Sequence, residues 1–120
     1  MQREYSLKKN AQFRYVYRKG SSFGSREMVL LHVGNRSKKI GFSVGKKLGS
    51  AVQRNRIKRR LREVWRPLLP QMKNGLYIVI ARQPAADAKF DQLQRSAKYL
   101  LKKKGLLVQP EETSKSDSGE

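Results

Sequence analysis

Apolar side chains near the start of the chain recur at the spacing of a helix. Phe13, Val16 and Tyr17 stand at positions i, i+3 and i+4, so they share one face of a helix predicted over residues 6–20. Gly20 is a suitable residue to end it. The positions between the apolar ones are mostly Lys and Arg, so the opposite face is predicted to be basic.

The next apolar segments have the patterns of strands. Residues 28–33 form a short apolar run suited to a buried strand, and residues 40–44 alternate between apolar and small or polar side chains. Because residues 34–37 favour turns, the two segments are predicted to pair as a hairpin. Residues 76–81 form the clearest strand of the sequence, and residues 21–25 suggest a further short one.

A central helix is predicted to begin at Ser50. The Ser50 hydroxyl can accept from the Gln53 amide while the Gln53 side chain returns the contact, which is a capping box. Pro67 and Pro70 end the element. The predicted buried stripe consists of Ile57, Leu61, Val64, Trp65 and Leu68.

A third helix is predicted to begin near Asp87, which would act as its cap. Its predicted core face consists of Phe90, Leu93, Ala97, Leu100 and Leu101. Residues 1–108 are therefore expected to form one domain. Residues 109–120 contain no residue suited to a core and are expected to be a disordered acidic tail.

This succession of elements predicts an α+β fold (an α/β sandwich). It would hold a mixed sheet of about four strands and three helices in the order α-β-β-(β)-α-β-α, sharing one core.

The charge of the chain points to a polyanionic partner. There are 28 Lys and Arg against 9 Asp and Glu, a formal charge of +19. The tail holds four acids and one lysine, so about +22 remains on residues 1–108. A domain with this charge is expected to bind nucleic acid, because neutralising phosphates releases counterions.

The basic residues concentrate on the central helix and the segment before it. Nine basic residues and one acid, Glu63, occur between Lys46 and Arg66. Like charges at i, i+4 cost roughly 0.2–0.5 kcal/mol per pair in an isolated helix. Phosphates would offset this cost, since Arg binds them in a bidentate geometry. The alternative is the solvated basic face of an ordinary amphipathic helix, although such faces usually mix charges of both signs.

The sequence lacks the residues that several other classes of function require. Without cysteine there is neither a disulfide framework nor a thiolate zinc site. No segment has the length of a membrane span or an apolar signal core, so a cytoplasmic protein with no membrane partner is expected. Gly41, Gly45 and Lys46 do not have the spacing of a nucleotide-binding loop; these glycines are expected to permit turns or close packing.

Catalytic groups are also missing from the pattern. The one histidine, His32, lies within a predicted strand, where a core or sheet-face position is expected. The acidic residues outside the tail are scattered over different predicted elements, so neither acid–base nor two-metal cleavage of RNA is supported. We predict no catalytic residue and no metal site in this chain.

The first-helix aromatic residues have two interpretations. Phe13 and Tyr17 can stack on unpaired bases if their face is left uncovered. Alternatively, Phe13 packs in the core against the sheet, and both interpretations can hold for different residues.

Residues 46–63 (KKLGSAVQRNRIKRRLRE) resemble the ribonuclease P protein family, with Arg54-Asn55-Arg56 at the centre of the motif. The resemblance extends to residues 7–10 leading into Phe13, to Lys19-Gly20, and to residues 80–84, and it covers roughly residues 5–105.

This resemblance implies a protein subunit of an RNA enzyme, in which the RNA cleaves the 5′ leader from precursor tRNA with Mg²⁺. The cleft between the first helix and the sheet would take the leader, with Phe13 and Tyr17 as contacts. The expected partners are the catalytic RNA, in a 1:1 complex with a monomeric protein, and precursor tRNA. The residues implied to face the catalytic RNA are Lys46, Lys47, Arg54, Asn55, Arg56, Lys58, Arg59, Arg60 and Arg62.

Two departures from the family pattern affect the leader site. Many relatives carry phenylalanine at the position of Tyr17, and some carry an aromatic residue at the position of Leu31. Leu31 is retained as a leader-binding position, but without a ring it cannot stack. The resemblance further implies a ribosomal-protein-like fold with a left-handed crossover through the central helix, against the usual hand.

A ribosomal protein or RNA chaperone is the competing function, and composition fits it equally well. The long basic motif and the aromatic residues of the cleft favour the ribonuclease P subunit.

Overall fold

A computed structural model describes residues 6–7 and 9–108. Three α-helices and four strands occur in the order α1 (Asn10–Lys19), β1 (Ser21–Gly24), β2 (Met28–Val33), β3 (Lys38–Ser43), α2 (Ala51–Trp65), β4 (Gly75–Ala81) and α3 (Phe90–Lys103). Short 3₁₀ turns at Lys46–Leu48, Arg66–Gln71 and Gln83–Ala86 connect them. The predicted α+β class, the three helices and the fourth strand are confirmed. The predicted acidic tail lies outside the described residues.

The four strands form one mixed sheet in the order β1-β2-β4-β3. β2 is antiparallel to both β1 and β4, and β3 is parallel to β4. The predicted hairpin of β2 with β3 is therefore wrong. β4 takes the place between them because six of its seven residues are buried, and a strand covered on both faces belongs in the interior of a sheet.

Two layers of side chains cover the sheet. On one face, α2 and α3 enclose the larger core around Trp65, Tyr77 and Leu100. On the other face, α1 packs through Val16 on Leu31 and Ile78. Because α1 has only ten residues, it covers part of this second face.

The central helix forms for the local reasons given by its sequence. Ser50 Oγ accepts from the Gln53 amide at 3.3 Å, and the Gln53 side chain accepts from the Ser50 amide at 2.7 Å. The predicted capping box is thus confirmed. The whole predicted stripe is buried, from Ile57 to Leu68, and this burial turns the basic residues outward.

The third helix begins later than predicted. Lys89 is its N-cap residue, and the Gln92 side chain accepts from the Lys89 amide at 2.8 Å. Asp87 instead follows the 3₁₀ turn Gln83–Ala86. Phe90, predicted as a core residue, is 38% exposed, because it lies in the first turn, beyond the edge of the buried stripe.

Candidate RNA-binding surface

The basic residues of α2 point away from the core in three directions. With 100° per residue, Lys58 and Arg62 lie on one flank of the buried stripe and Arg56 and Arg60 on the other, while Arg54 lies in line with the stripe at its N-terminal end. Asn55 and Arg59 form the outward ridge between the flanks, and both are exposed. Lys46 and Lys47 are exposed in the 3₁₀ turn that precedes the helix.

These charges are not neutralised by carboxylates. Within residues 6–7 and 9–108, one ion pair is found, between Asp91 and Arg95 of α3 at 3.7 Å, and both partners are largely exposed. No basic residue of α2 has a carboxylate within ion-pair distance in this part of the chain. The helix therefore presents unpaired cations to any polyanion that docks on it.

Two of the arginines are partly buried in the protein. Arg60 is half-buried and donates through Nη2 to the Ala88 carbonyl at 2.5 Å. Arg54 is half-buried, and its Nε is buried without a hydrogen-bond partner among the described residues. Of the predicted RNA-binding residues on α2, Arg60 thus has a structural contact that the sequence did not reveal.

Phe13 lies directly on the sheet at Gly41 of β3. A Cβ atom at residue 41 would lie 2.6 Å from Phe13 Cζ and 3.3 Å from Leu7 Cβ, so only glycine leaves room for the ring. Phe13 is half-buried and packs against the smaller core cluster. The packing interpretation of Phe13 is confirmed; because the ring is only half-buried, stacking on an unpaired base stays a prediction.

A cavity of about 190 Å³ joins this aromatic residue to the basic helix. Phe13 and Gly41 line one side, and Lys58 and Arg62 of α2 line another. The sequence predicted Phe13 as a contact of the leader, and Lys58 and Arg62 as contacts of the catalytic RNA. The fold brings them together at one place.

Beyond α1, the same face of the sheet is incompletely covered. Val29 of β2 and Ile80 of β4 are cross-strand partners, and both are only half-buried. At the β1 edge of this incompletely covered face, Arg82 Nη1 donates to the Ser25 carbonyl at 3.1 Å. Its guanidinium lies over Gly24, on the side where a Cβ at Gly24 would meet Val29. From the sequence, Arg82 was included only within the resemblance of residues 80–84 and was given no role at this face.

The other predicted leader contacts differ in accessibility. Tyr17 is 49% exposed and Leu31 is 7% exposed. Tyr17 thus has a ring face available for stacking. Leu31 is packed under α1 with Val16, so the surface that it offers to a ligand is small.

The histidine and the carboxylates do not assemble into a reactive group. His32 points to the sheet face opposite to that of Leu31, where its ring lies 4.6 Å from the ring of Tyr77. Burial lowers the pKa of His32, opposed by a smaller effect of a hydrogen bond to the Asn74 backbone. Burial also raises the pKa of Tyr77 to about 12. In the described residues, no three His, Asp or Glu side chains come close enough to hold a metal ion. No helix there is long and apolar enough to cross a membrane.

Comparisons with known proteins agree on one family. The family model of ribonuclease P matches residues 1–105. The ribonuclease P protein component of Oceanobacillus iheyensis is 41% identical over 111 residues, which cover 89% of this chain and 92% of the relative. The RNase P protein of Staphylococcus aureus superposes with a TM-score of 0.77 at 41% identity, covering 85% of this chain and 96% of that one. A mutant of the S. aureus protein, described as defective in mRNA degradation activity, superposes with a TM-score of 0.78 at 40% identity, covering 85% and 89% of the two chains.

Proposed function

This chain belongs to the ribonuclease P protein family, and from that premise we propose how it divides its surface between two RNAs. It is the protein subunit of a ribonucleoprotein endoribonuclease that acts in tRNA processing, and its partner is the ribonuclease P RNA. In our proposal, the exposed basic residues of α2 and the preceding turn bind the catalytic RNA. The cleft beside α1 binds the single-stranded 5′ leader of precursor tRNA.

The observation that carries the proposal is the cavity in which Phe13 meets Lys58 and Arg62. A single-stranded RNA needs a ring on which a base can stack and cations that hold the adjoining phosphates. Phe13 is fixed against Gly41, so the ring is ordered before a base arrives. Tyr17 provides a second, more exposed ring on the same helix.

The catalytic RNA would occupy the outer ridge of α2. Asn55, Arg59, Lys46 and Lys47 are exposed there, and unpaired cations along one surface are the expected footprint of a phosphate backbone. Lys58 and Arg62 stand between this ridge and the cleft. They can therefore contact either the catalytic RNA or the leader of precursor tRNA, at the place where the two RNAs come close to each other.

The chain would bind and orient its RNA partners without performing the cleavage itself. The carboxylates of the described residues are Glu27, Glu63, Asp87 and Asp91. Glu27 and Asp87 line one pocket, but no three His, Asp or Glu side chains come together in this part of the chain, as a two-metal nuclease would need. We propose that the Mg²⁺ of the reaction is held by the RNA. One protein per RNA, in the cytoplasm where precursor tRNA is processed, completes the proposal.

Reconstitution with the cognate catalytic RNA tests this function. The protein should enhance cleavage of precursor tRNA at low Mg²⁺, and the protein alone should leave precursor tRNA intact. Because a mutant of the S. aureus relative is described as defective in mRNA degradation, the reaction without catalytic RNA should also contain an mRNA. Cleavage of either substrate by the protein alone would contradict the assignment of all chemistry to the RNA.

Two matched pairs of variants separate the ligands. Phe13→Ala should weaken binding of precursor tRNA more than that of mature tRNA, whereas Tyr99→Ala, which removes an exposed ring of α3, should change neither. Lys58→Ala and Arg62→Ala should each reduce the slope of log affinity against log salt by about 0.7–0.9, because each removes one cation from a phosphate. Lys98→Ala on α3 is the charge-matched control. If Lys58→Ala and Arg62→Ala keep the wild-type slope, as Lys98→Ala should, these two residues do not contact RNA phosphates.

A further inference from the structure

A second pocket lies on the flank of α2 that faces away from the cleft. It has a volume of about 230 Å³, smaller than the about 300–1,000 Å³ typical of sites for larger ligands. Leu48, Ile57 and Ala86 provide its apolar part, and the polar side chains that line it are Gln53, Arg56, Arg60 and Asp87. The lining is mixed, with a small apolar patch among these polar side chains, and a pocket of this size suits one planar ring system.

Three segments build this pocket, so its shape is set by the fold. Leu48 comes from the 3₁₀ turn before α2, and Ala86 from the 3₁₀ turn after β4. The two turns contact each other. Arg60, from α2, is held by its hydrogen bond to the Ala88 carbonyl. The side chain of Gln53 is held by the capping box through its oxygen, which leaves its N–H groups free to donate.

Asp87 is the acidic side chain in the lining of this pocket. Its backbone amide donates to the Pro84 carbonyl at 3.3 Å. Its carboxylate, however, has neither an ion-pair nor a hydrogen-bond partner in the described part of the chain. It does not cap α3, since Lys89 is the N-cap residue. Asp87 is exposed, so its carboxylate is hydrated in the free protein and is available as an acceptor at the mouth of a pocket that two arginines also line.

We propose that this pocket binds one unstacked nucleotide of the catalytic RNA, with its base in the apolar part and its phosphate on Arg56. The base would place its Watson–Crick edge against the Asp87 carboxylate. Guanine fits this acceptor best, because its N1–H and N2–H groups point in the same direction and match the two carboxylate oxygens. Uracil offers one N–H between two carbonyl oxygens, which the carboxylate repels.

The proposal rests on the proposed function, because it assumes that the catalytic RNA docks on α2. It adds a base-specific site to a surface otherwise explained by contacts with phosphates. The site is separate from the leader cleft, since Arg56 and Arg60 lie on the opposite flank from Lys58 and Arg62. One helix would then hold two RNA segments apart.

The first test uses the full chain and free nucleotides, followed by NMR. Guanosine 5′-monophosphate should shift the Leu48, Ile57 and Ala86 methyl signals and the Gln53 side-chain amide in a saturable way. It should bind about tenfold more tightly than uridine 5′-monophosphate, because a bidentate contact to a base edge discriminates by about this factor. Asp87→Asn should abolish the difference. Equal shifts with guanosine monophosphate, uridine monophosphate and inorganic phosphate would overturn the proposal.

The second test uses the sign of the effect on binding of the catalytic RNA. Asp87→Asn and Asp91→Asn each remove one negative charge from a strongly basic protein, so electrostatics alone predicts slightly tighter RNA binding for both. A base-reading carboxylate predicts about tenfold weaker binding for Asp87→Asn only. Suppose that Asp87→Asn and Asp91→Asn bind the catalytic RNA equally well, while Lys58→Ala still lowers the slope of log affinity against log salt. The nucleotide site at the pocket is then wrong, and the proposed function stands. If the wild-type protein does not bind the RNA, both are wrong.

Discussion

Adding one methyl group at Gly41 should displace Phe13 from the sheet. The new Cβ would lie 2.6 Å from Phe13 Cζ and 3.0 Å from Phe13 Cε1. Ordinary contacts between carbon atoms lie at about 3.5–4.0 Å, so the ring has to retreat by about 1 Å. Leu7 Cβ, 3.3 Å from the same position, also limits how the ring can move.

The free energy of unfolding should fall by about 1–2 kcal/mol in Gly41→Ala. Overpacking costs roughly 1–3 kcal/mol, and the smaller conformational entropy of the unfolded chain returns about 0.4–1 kcal/mol. Gly41 is not one of the glycines with positive φ, so alanine adds no backbone strain. The midpoint of thermal unfolding should drop by roughly 4–8 °C for each kcal/mol of destabilisation.

A double-mutant cycle with Phe13→Ala tests whether the ring is the cause. Without the ring, Gly41→Ala should cost almost nothing, which gives a coupling free energy of about 1–2 kcal/mol. Gly45→Ala is the control, because a Cβ there meets nothing within 4 Å and its backbone is extended. If Gly41→Ala lowers the free energy of unfolding by the same amount, within about 0.5 kcal/mol, with and without the Phe13 ring, the contact is refuted. In the reconstituted enzyme, Gly41→Ala should also shift discrimination between precursor and mature tRNA in the same direction as Phe13→Ala.

Three further predictions concern stability. Ser50→Ala should cost about 1 kcal/mol, measured by urea unfolding, because it removes one half of the capping box; an unchanged midpoint would contradict the importance of the cap. Arg60→Ala should cost about 1–2 kcal/mol, since it leaves the Ala88 carbonyl without its donor, whereas a change in RNA affinity with unaltered stability would make Arg60 a ligand contact only. Because burial lowers the pKa of His32, the folded state resists the proton that the unfolded state takes up near pH 6.5. The stability that His32 contributes is complete above that pH and is lost as the pH falls below it. The midpoint of thermal unfolding should therefore depend less on pH between 7.5 and 5.5 in His32→Gln than in the wild type. An identical dependence on pH in the two proteins would contradict this.

The central helix was predictable because its determinants are local. The capping box spans Ser50 to Gln53, and the buried stripe repeats at helical spacing. The position of β3 was not predictable in this way. Whether β3 pairs with β2 or with β4 depends on which strand is buried on both faces, and a pattern of alternating residues does not contain that information. The parallel pairing of β3 with β4 confirms a crossover through α2, whose left hand stays a prediction from the family resemblance.

The sequence predicted which residues belong to the candidate site, but it did not predict how these residues are arranged in space. The basic character of α2 follows from the sequence, since buried apolar positions leave the cations outside. The division of those cations between two flanks depends on which segments pack on each side. Asp87 shows the limit most clearly: its sequence context suggested a helix cap, whereas the fold begins α3 three residues later and leaves the carboxylate at the edge of a pocket.

The arrangement of α2 also accounts for the persistence of like charges along it. Arg54, Lys58 and Arg62 follow one another at i, i+4 and i+8, and each pair destabilises the isolated helix by roughly 0.2–0.5 kcal/mol. Burial of Leu61, Val64 and Trp65, all at 1% exposure or less, contributes several kcal/mol and outweighs this repulsion. The helix therefore folds without RNA and keeps its cations unpaired. An acidic residue at one of these positions would relieve the repulsion, but it would also place a negative charge beside the cavity that Phe13 shares with Lys58 and Arg62. The same apolar stripe thus lets the fold tolerate the basic surface. Under the proposed function, the absence of acids on the cleft flank is explained by the RNA ligand and not by the stability of the helix.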